Sequence, residues 1–308
     1  MSSEKRLPVT VDIGGTKTVV AVHRDGTADA LDRFPTPDDP RDAVRAIVAS
    51  VERAGLRDAA GAVGIGAPGP LDSRSGRMLA PPNLPGWKDF PLAEMITDAL
   101  GIPVRLENDA NLGALGEAVH GSGRGLGSMF YLTISTGIGS GLVIGGRIHG
   151  GLAGLAGEAW AMRPGLFRGR TDGPTVMDLA SGPGLVRRAR ERMRAGRETI
   201  LDAGALDAPA LVAAATDGDG LALDVLEEGR DAAAGLLAAV IQTIAPEAVV
   251  LGGGLCTDPA WYVDPIRDRI RSWVDIPGLR DTPVYRARLW DNAVLYGAAS
   301  LVEDFCRT

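Results

Sequence analysis

The chain has 308 residues, 45% of them hydrophobic, with 42 glycines and a formal charge of −7. That length supports a large core, expected as two lobes, and the acidic balance excludes a surface built to coat nucleic acid. No run of about 18 apolar residues occurs and the N-terminus lacks an apolar signal core, so neither a membrane span nor secretion is expected. Cys256 and Cys306 are too few for a disulfide scaffold or a cysteine-based zinc site, and the expected location is cytoplasmic.

Residues 7–33 read as three short strands. Between the first two lies Val11-Asp12-Ile13-Gly14-Gly15-Thr16-Lys17-Thr18. An acidic residue ends the first strand, two glycines turn the chain without side-chain bulk, and Thr16 and Lys17 supply donors. Phosphates need such close backbone approach, and an Asp there can hold Mg²⁺ through water. A plain β-hairpin with a glycine turn is the alternative, and these eight residues do not choose between the two.

Asp39 to Gly55 is predicted helical, since Ala43, Ile47, Val48 and Val51 keep the helical period. Ala62 to Gly66 is a buried strand. Residues 68–91 form a rigid Pro/Gly loop in which Leu84 and Trp87 need burial. Leu92 to Leu100 is a helix, Pro103 to Leu106 a strand, and Asn111 to His120 a helix. Met129 to Ile134 is a strand that turns through Ser135-Thr136-Gly137-Ile138-Gly139-Ser140-Gly141 and returns as Leu142 to Ile144, echoing the first unit. Residues 151–175 look irregular. Helices are predicted near 176–195, 207–217 and 220–244, then a strand at 248–251 that ends in Gly252-Gly253-Gly254 and opens a helix. Ala293 to Phe305 is the last helix. Two β-turn-β units mixed with helices indicate an α/β protein with two similar lobes.

These residues together resemble the ROK family of sugar kinases and sugar-responsive repressors. The resemblance rests on Asp12-Ile13-Gly14-Gly15-Thr16-Lys17, Gly64-Ile65-Gly66-Ala67-Pro68-Gly69, Asn83-Leu84-Pro85-Gly86-Trp87, Glu107-Asn108-Asp109-Ala110-Asn111, Thr136-Gly137-Ile138-Gly139, Ala156-Gly157-Glu158, Ser181-Gly182-Pro183 and Leu251-Gly252-Gly253-Gly254. It implies a two-lobed actin/hexokinase-like (ribonuclease-H-like) fold with ATP and sugar in the cleft. The N-terminal lobe is expected over 1–112 with the C-terminal helix 293–308, and the C-terminal lobe over 113–292.

The resemblance makes Asp109 the catalytic base. A carboxylate can orient an attacking hydroxyl and accept its proton; helix capping is its plain alternative. The sugar side would be Gly69, Asn83, Asn108, Asp109 and Glu158, with Asp178 as a further candidate. Asn108 is otherwise a turn residue. Glu158 is otherwise a surface acid, which its apolar neighbours Leu155, Ala156, Ala159 and Trp160 argue against. ATP would lie against Gly14, Gly15, Thr16, Lys17, Thr136, Gly137 and Gly139, with Gly252, Gly253 and Gly254 flat against adenosine. Asp291 and Asn292 lie near the implied nucleotide pocket, where a helix cap is equally expected. Asp12 would stand near Mg²⁺.

The sequence departs from the glucokinase-like pattern at Gly157-Glu158-Ala159-Trp160-Ala161, where Ala161 replaces a His. No cysteine lies between 157 and 181, so no structural zinc is expected. Histidines 23, 120 and 149 show no ligand spacing. The expected activity is ATP-dependent transfer of the γ-phosphoryl group to a primary hydroxyl of a hexose or a modified hexose such as an amino sugar. A C7-cyclitol kinase, a plain glucose kinase, or a catalytically impaired regulatory protein are the alternatives. Only eleven residues precede Asp12, so no DNA-binding domain is expected. The expected partner is a small-molecule sugar or analogue, with neither nucleic acid nor membrane, and a homodimer is left open.

Overall fold

The computed structural model describes residues 6–164, 169 and 171–306. The chain begins with β1 (Leu7–Ile13), β2 (Lys17–Arg24), β3 (Thr27–Pro35), α1 (Pro40–Arg53) and β4 (Ala60–Ala67). Next come β5 (Leu71–Asp72), β6 (Arg77–Met78), α2 (Leu92–Leu100), β7 (Val104–Asn108) and α3 (Asp109–His120). Then follow β8 (Ser128–Ile134), β9 (Ile138–Ile144), β10 (Arg147–Ile148), α4 (Val176–Ala180), α5 (Gly182–Arg194), α6 (Ala208–Thr216) and α7 (Gly220–Ile244). The chain closes with β11 (Ala248–Gly252), α8 (Val263–Trp273), α9 (Pro277–Arg280), β12 (Val284–Arg286) and α10 (Ala293–Cys306). Two compact units result. The first is Met1–Gly127, Gly141–Ala156 and Arg288–Thr308, and the second is Ser128–Ser140 and Gly157–Ala287.

The first unit is built on a sheet of order β3-β2-β1-β4-β7. β1, β2 and β3 pair antiparallel, while β4 runs parallel to both β1 and β7. Side chains alternate across a strand, and β4 uses each face differently. Val63, Ile65 and Ala67 join a core with Ala43, Ile47 and Val51 of α1 and Leu92 and Ile96 of α2. Gly64 and Gly66 face α10, where a Cβ would come 2.3 Å from the Ala298 carbonyl oxygen and 2.4 Å from Val294 Cγ1. The α3–α10 crossing is equally close. A Cβ on Gly116 would lie 2.1 Å from the Ala293 oxygen, and one on Gly297 1.9 Å from the Leu112 oxygen. His23 and His120, distant in sequence, each pack a ring against Tyr296 of α10, with centroids 5.3 Å away in both cases.

In the second unit β11 pairs in parallel with β8 on one side and β12 on the other. All five β11 residues are buried, as its continuous apolar run requires. α7 supplies the helical core, with Leu236, Leu237 and Ile241 buried. The single helix expected over 176–195 is two. Ser181 ends α4 and caps α5 by accepting from the Gly184 N–H, and Pro183 is tolerated only because it falls in the first turn of a new helix. α8 and β12 were not expected. Val263, Ile266 and Ile270 give α8 a buried helical face, but Pro265 sits in its first turn and hides the pattern. Among the described residues no helix is long and apolar enough to cross a membrane.

Candidate functional site

In the first unit the Gly14–Lys17 segment joins β1 to β2. Gly14 N–H donates to the Lys17 oxygen at 2.8 Å, so the hairpin geometry is present and the tip at Gly15, Thr16 and Lys17 is exposed. The turn is held from outside by Thr36, a residue the sequence reading passed over. Its hydroxyl donates to the Gly14 oxygen at 2.7 Å, so the buried Thr18 hydroxyl, 2.9 Å away, donates to it. Its N–H donates to the Thr16 oxygen at 3.1 Å. The next residue, Pro37, accepts from the indole N–H of Trp87 at 3.0 Å. Trp87 and Leu84 are buried as expected, and they anchor the loop that carries Asn83. A Cβ on Gly15 would lie 3.2 Å from Asn83 Cβ. The Asn83 loop therefore lies against the glycine turn, leaving little room for a side chain at Gly15.

The β7–α3 corner forms the other side. Asn108 is the helix cap; its Oδ1 accepts from Ala110 and Asn111 N–H at 3.0 and 3.3 Å. That assigns to Asn108 the capping job considered for Asp109. Asp109 is the first helical residue, half-buried, with Oδ1 accepting the Ala110 N–H at 2.7 Å. Glu107 Oε1 accepts both the Asn108 N–H at 2.8 Å and Asn111 Nδ2 at 3.0 Å. These bonds fix the corner from both sides. Gly69 lies against it, where a Cβ would be 3.3 Å from Asn108 Nδ2.

Asp109 and Asp291 each lie within electrostatic reach of Asp12. The Asp12 carboxyl is pushed up to about 7, chiefly by burial, then by Asp109 and, more weakly, Asp291, while Lys17 opposes the shift. Oxygen donors with excess negative charge suit a hard divalent cation. Among the described residues no three His, Cys, Asp or Glu side chains could hold a metal ion between them. Carboxylate oxygens are the donors Mg²⁺ takes, and Mg²⁺ keeps several waters and leans on substrate phosphates.

In the second unit Thr136 is exposed at the tip between β8 and β9, with Gly137 and Gly139 beside it. Ser135 N–H donates to the Gly137 oxygen at 2.9 Å, and Gly182 N–H to the Ser135 oxygen at 2.8 Å, so the start of α5 braces this turn. The triple glycine does not open an α-helix; Gly254–Cys256 is a short 3-10 turn. A Cβ on Gly252 would lie 2.5 Å from the Tyr131 hydroxyl, and one on Gly253 2.4 Å from the Ile134 oxygen. Internal packing thus accounts for both, and only Gly254 is open. Glu158 is exposed and accepts from the Trp160 indole N–H. The expected apolar surroundings are not enclosing, because Leu155 is 56% and Trp160 38% exposed. Asp178 has both oxygens engaged: Oδ2 accepts from Thr175 N–H and hydroxyl at 2.9 and 2.8 Å, and Oδ1 pairs with Arg187 at 2.7 Å. Those bonds, the helix-capping ones first, hold its carboxyl below the usual range.

In the first unit again, Asp291 and Asn292 are exposed in a 3-10 turn directly before α10. Sequence reasoning missed Glu117. It is fully buried on α3, and only its glycine neighbours Gly116 and Gly121 hinted at a crowded place.

The chain matches the ROK family over residues 8–305. A glucokinase of Streptomyces coelicolor is 34% identical over 312 residues, covering 97% of this chain and 98% of that protein. The crystal structure of a ROK family glucokinase from Streptomyces griseus, in complex with glucose and AMPPNP, is 33% identical with a TM-score of 0.77, covering 96% of this chain and 98% of that one. A Listeria monocytogenes protein assigned as a candidate N-acetylmannosamine kinase is 26% identical with a TM-score of 0.80, covering 97% of this chain and 99% of that one.

Proposed function

The chain belongs to the ROK family, and from that premise we propose that it is an ATP-dependent kinase acting on the primary hydroxyl of a hexose or amino sugar. The observation that carries the reading is that Asp109, Asp291 and Lys17 all act on Asp12, at the end of a strand whose glycine turn lies against Asn83. A phosphate donor and a polyol acceptor need those two kinds of surface side by side. The related glucokinases and the candidate N-acetylmannosamine kinase support the substrate class.

In this reading Asp109 orients the acceptor hydroxyl and takes its proton. The hydroxyl oxygen forms a bond to the γ-phosphorus, the bond to the β,γ-bridging oxygen breaks, and ADP leaves with the electron pair. Asn108 has its Oδ1 committed to capping, which leaves its amide nitrogen as the group for a sugar oxygen. Asn83, Gly69 and Glu158 complete the proposed acceptor side. Asp178, with both oxygens engaged, is left out of it. Gly14, Gly15, Thr16 and Lys17 in the first unit, and Thr136, Gly137, Gly139 and Gly254 in the second, are the proposed phosphate and nucleotide contacts. Asp12 would hold Mg²⁺ through water, with charge neutralisation of the phosphates as the metal's contribution.

ADP release measured with a panel of hexoses, amino sugars and cyclitols tests the proposal. Release should depend on a hexose or amino sugar and on Mg²⁺. Release with none of them would refute it.

A further inference from the structure

Glu117 has no part in the chemistry above, yet it is the one fully buried acid among the described residues. Its carboxylate receives three backbone N–H groups: Ser122 at 2.8 Å, Leu289 at 2.7 Å, and Arg288 at 2.9 and 3.1 Å to its two oxygens. Two of those donors lie 171 and 172 residues further along the chain. Charge-assisted bonds of this kind are among the stronger hydrogen bonds. Room for the carboxylate is made by Gly121, where a Cβ would lie 2.0 Å from Oε2.

The pinned residues open the segment Arg288-Leu289-Trp290-Asp291-Asn292. Within it Asn292 N–H donates back to the Leu289 oxygen at 3.0 Å. Trp290 has φ +49°, a left-handed conformation that a bulky side chain holds only when its surroundings over-determine it. The bond network supplies that constraint directly upstream. Asp291, next in the chain, acts electrostatically on Asp12. The same helix begins at Asp109, eight residues or roughly 12 Å along the axis from Glu117.

We infer that Glu117 is a positioning residue for nucleotide binding: its buried carboxylate holds the Arg288–Asn292 turn and so fixes where Asp291 and Asn292 stand. The inference rests on the nucleotide reading of that turn. It makes α3 a single rigid part that sets the proposed base at one end and the nucleotide turn at the other.

The test is Glu117→Gln, in which one oxygen becomes an NH₂ group facing N–H donors. Binding of AMPPNP with Mg²⁺, read by calorimetry, should weaken about tenfold, and the Michaelis constant for ATP should rise alongside it. The Michaelis constant for the sugar should stay within about twofold. Amide exchange at Arg288 and Leu289 should be slow in the wild-type protein and faster in the variant. Adding Trp290→Gly, which accepts positive φ without steric strain, should restore part of the affinity. Asp291→Ala separates the two readings. If it leaves AMPPNP binding unchanged, the nucleotide reading of the turn fails. If it weakens binding while Glu117→Gln only lowers thermal stability, this inference fails alone. Should Glu117→Gln not fold, fast exchange at Arg288 and Leu289 in the wild-type protein overturns the inference, and slow exchange supports it.

Discussion

Asp12 is placed where its charge is costly. Burial and the carboxylates of Asp109 and Asp291 raise its pKa from 3.8 to about 7. Between those values the folded state keeps a proton that the unfolded chain has released. The Asp12 contribution to stability is therefore full below about 4 and lost as pH rises through about 7. Asp12→Asn should melt higher than wild type above pH 7, with the gain shrinking to nothing near pH 4, and should lose Mg²⁺-dependent turnover. A melting-temperature difference independent of pH would contradict this origin of the cost. Asp109→Asn keeps shape and removes the proton acceptor. Turnover should fall roughly 10²- to 10⁴-fold, with sugar affinity largely kept in equilibrium binding. Asp109 was singled out in the sequence because it follows a strand end and fits a motif. Glu117 was not, because a buried acid is defined by donors far along the chain, and no local spacing reports them. Asp178 shows the reverse: a motif-adjacent acid whose oxygens turn out to be engaged in capping and an ion pair.

At the scale of elements, glycines decide how close α10 can come. Gly297→Val would drive a side chain into the Leu112 carbonyl, 1.9 Å from the ideal Cβ. Backbone cannot give way cheaply, so the loss should exceed the ~1–3 kcal/mol usual for overpacking. Gly278→Ala, with nothing within 4 Å of the new Cβ, is the control and should stay within about 0.5 kcal/mol. Equal melting temperatures for the two variants would remove the close-packing argument. Thr36 links β3 to the glycine turn. Thr36→Val deletes the hydroxyl that bonds Gly14 and Thr18, and a buried partner left unmet costs about 1–3 kcal/mol. The Michaelis constant for ATP should rise several-fold, and Thr36→Ser should restore it. The strands and long helices were readable because their apolar periods are intact. α8 was obscured by Pro265, and the break at Ser181 was hidden because apolar spacing runs on through it. The Thr36 bonds reach back 18 and 22 residues and the Trp87 bond 50, which periodicity does not register.

For the molecule as a whole, the two strand–glycine-turn–strand units recur as β1–β2 and β8–β9, one beginning in each compact unit. Their order and the eight motifs carried the fold through the sequence, because the motifs mark turns, caps and close backbone approaches such as Gly64 and Gly66 of β4. What the sequence could not supply was which acids share one field, since Asp12, Asp109 and Asp291 are brought together only by the β1 end, the α3 start and the turn before α10. This field and the adjacent Asn83 loop are proposed to serve phosphoryl transfer to a sugar. The most direct measurement is product analysis by phosphorus and proton NMR after incubation with Mg²⁺-ATP and the best acceptor from the panel. A phosphomonoester on the primary hydroxyl is expected, with one ADP formed per ester. Ester at the anomeric or a ring hydroxyl, or ADP formed with no sugar phosphate, would contradict it.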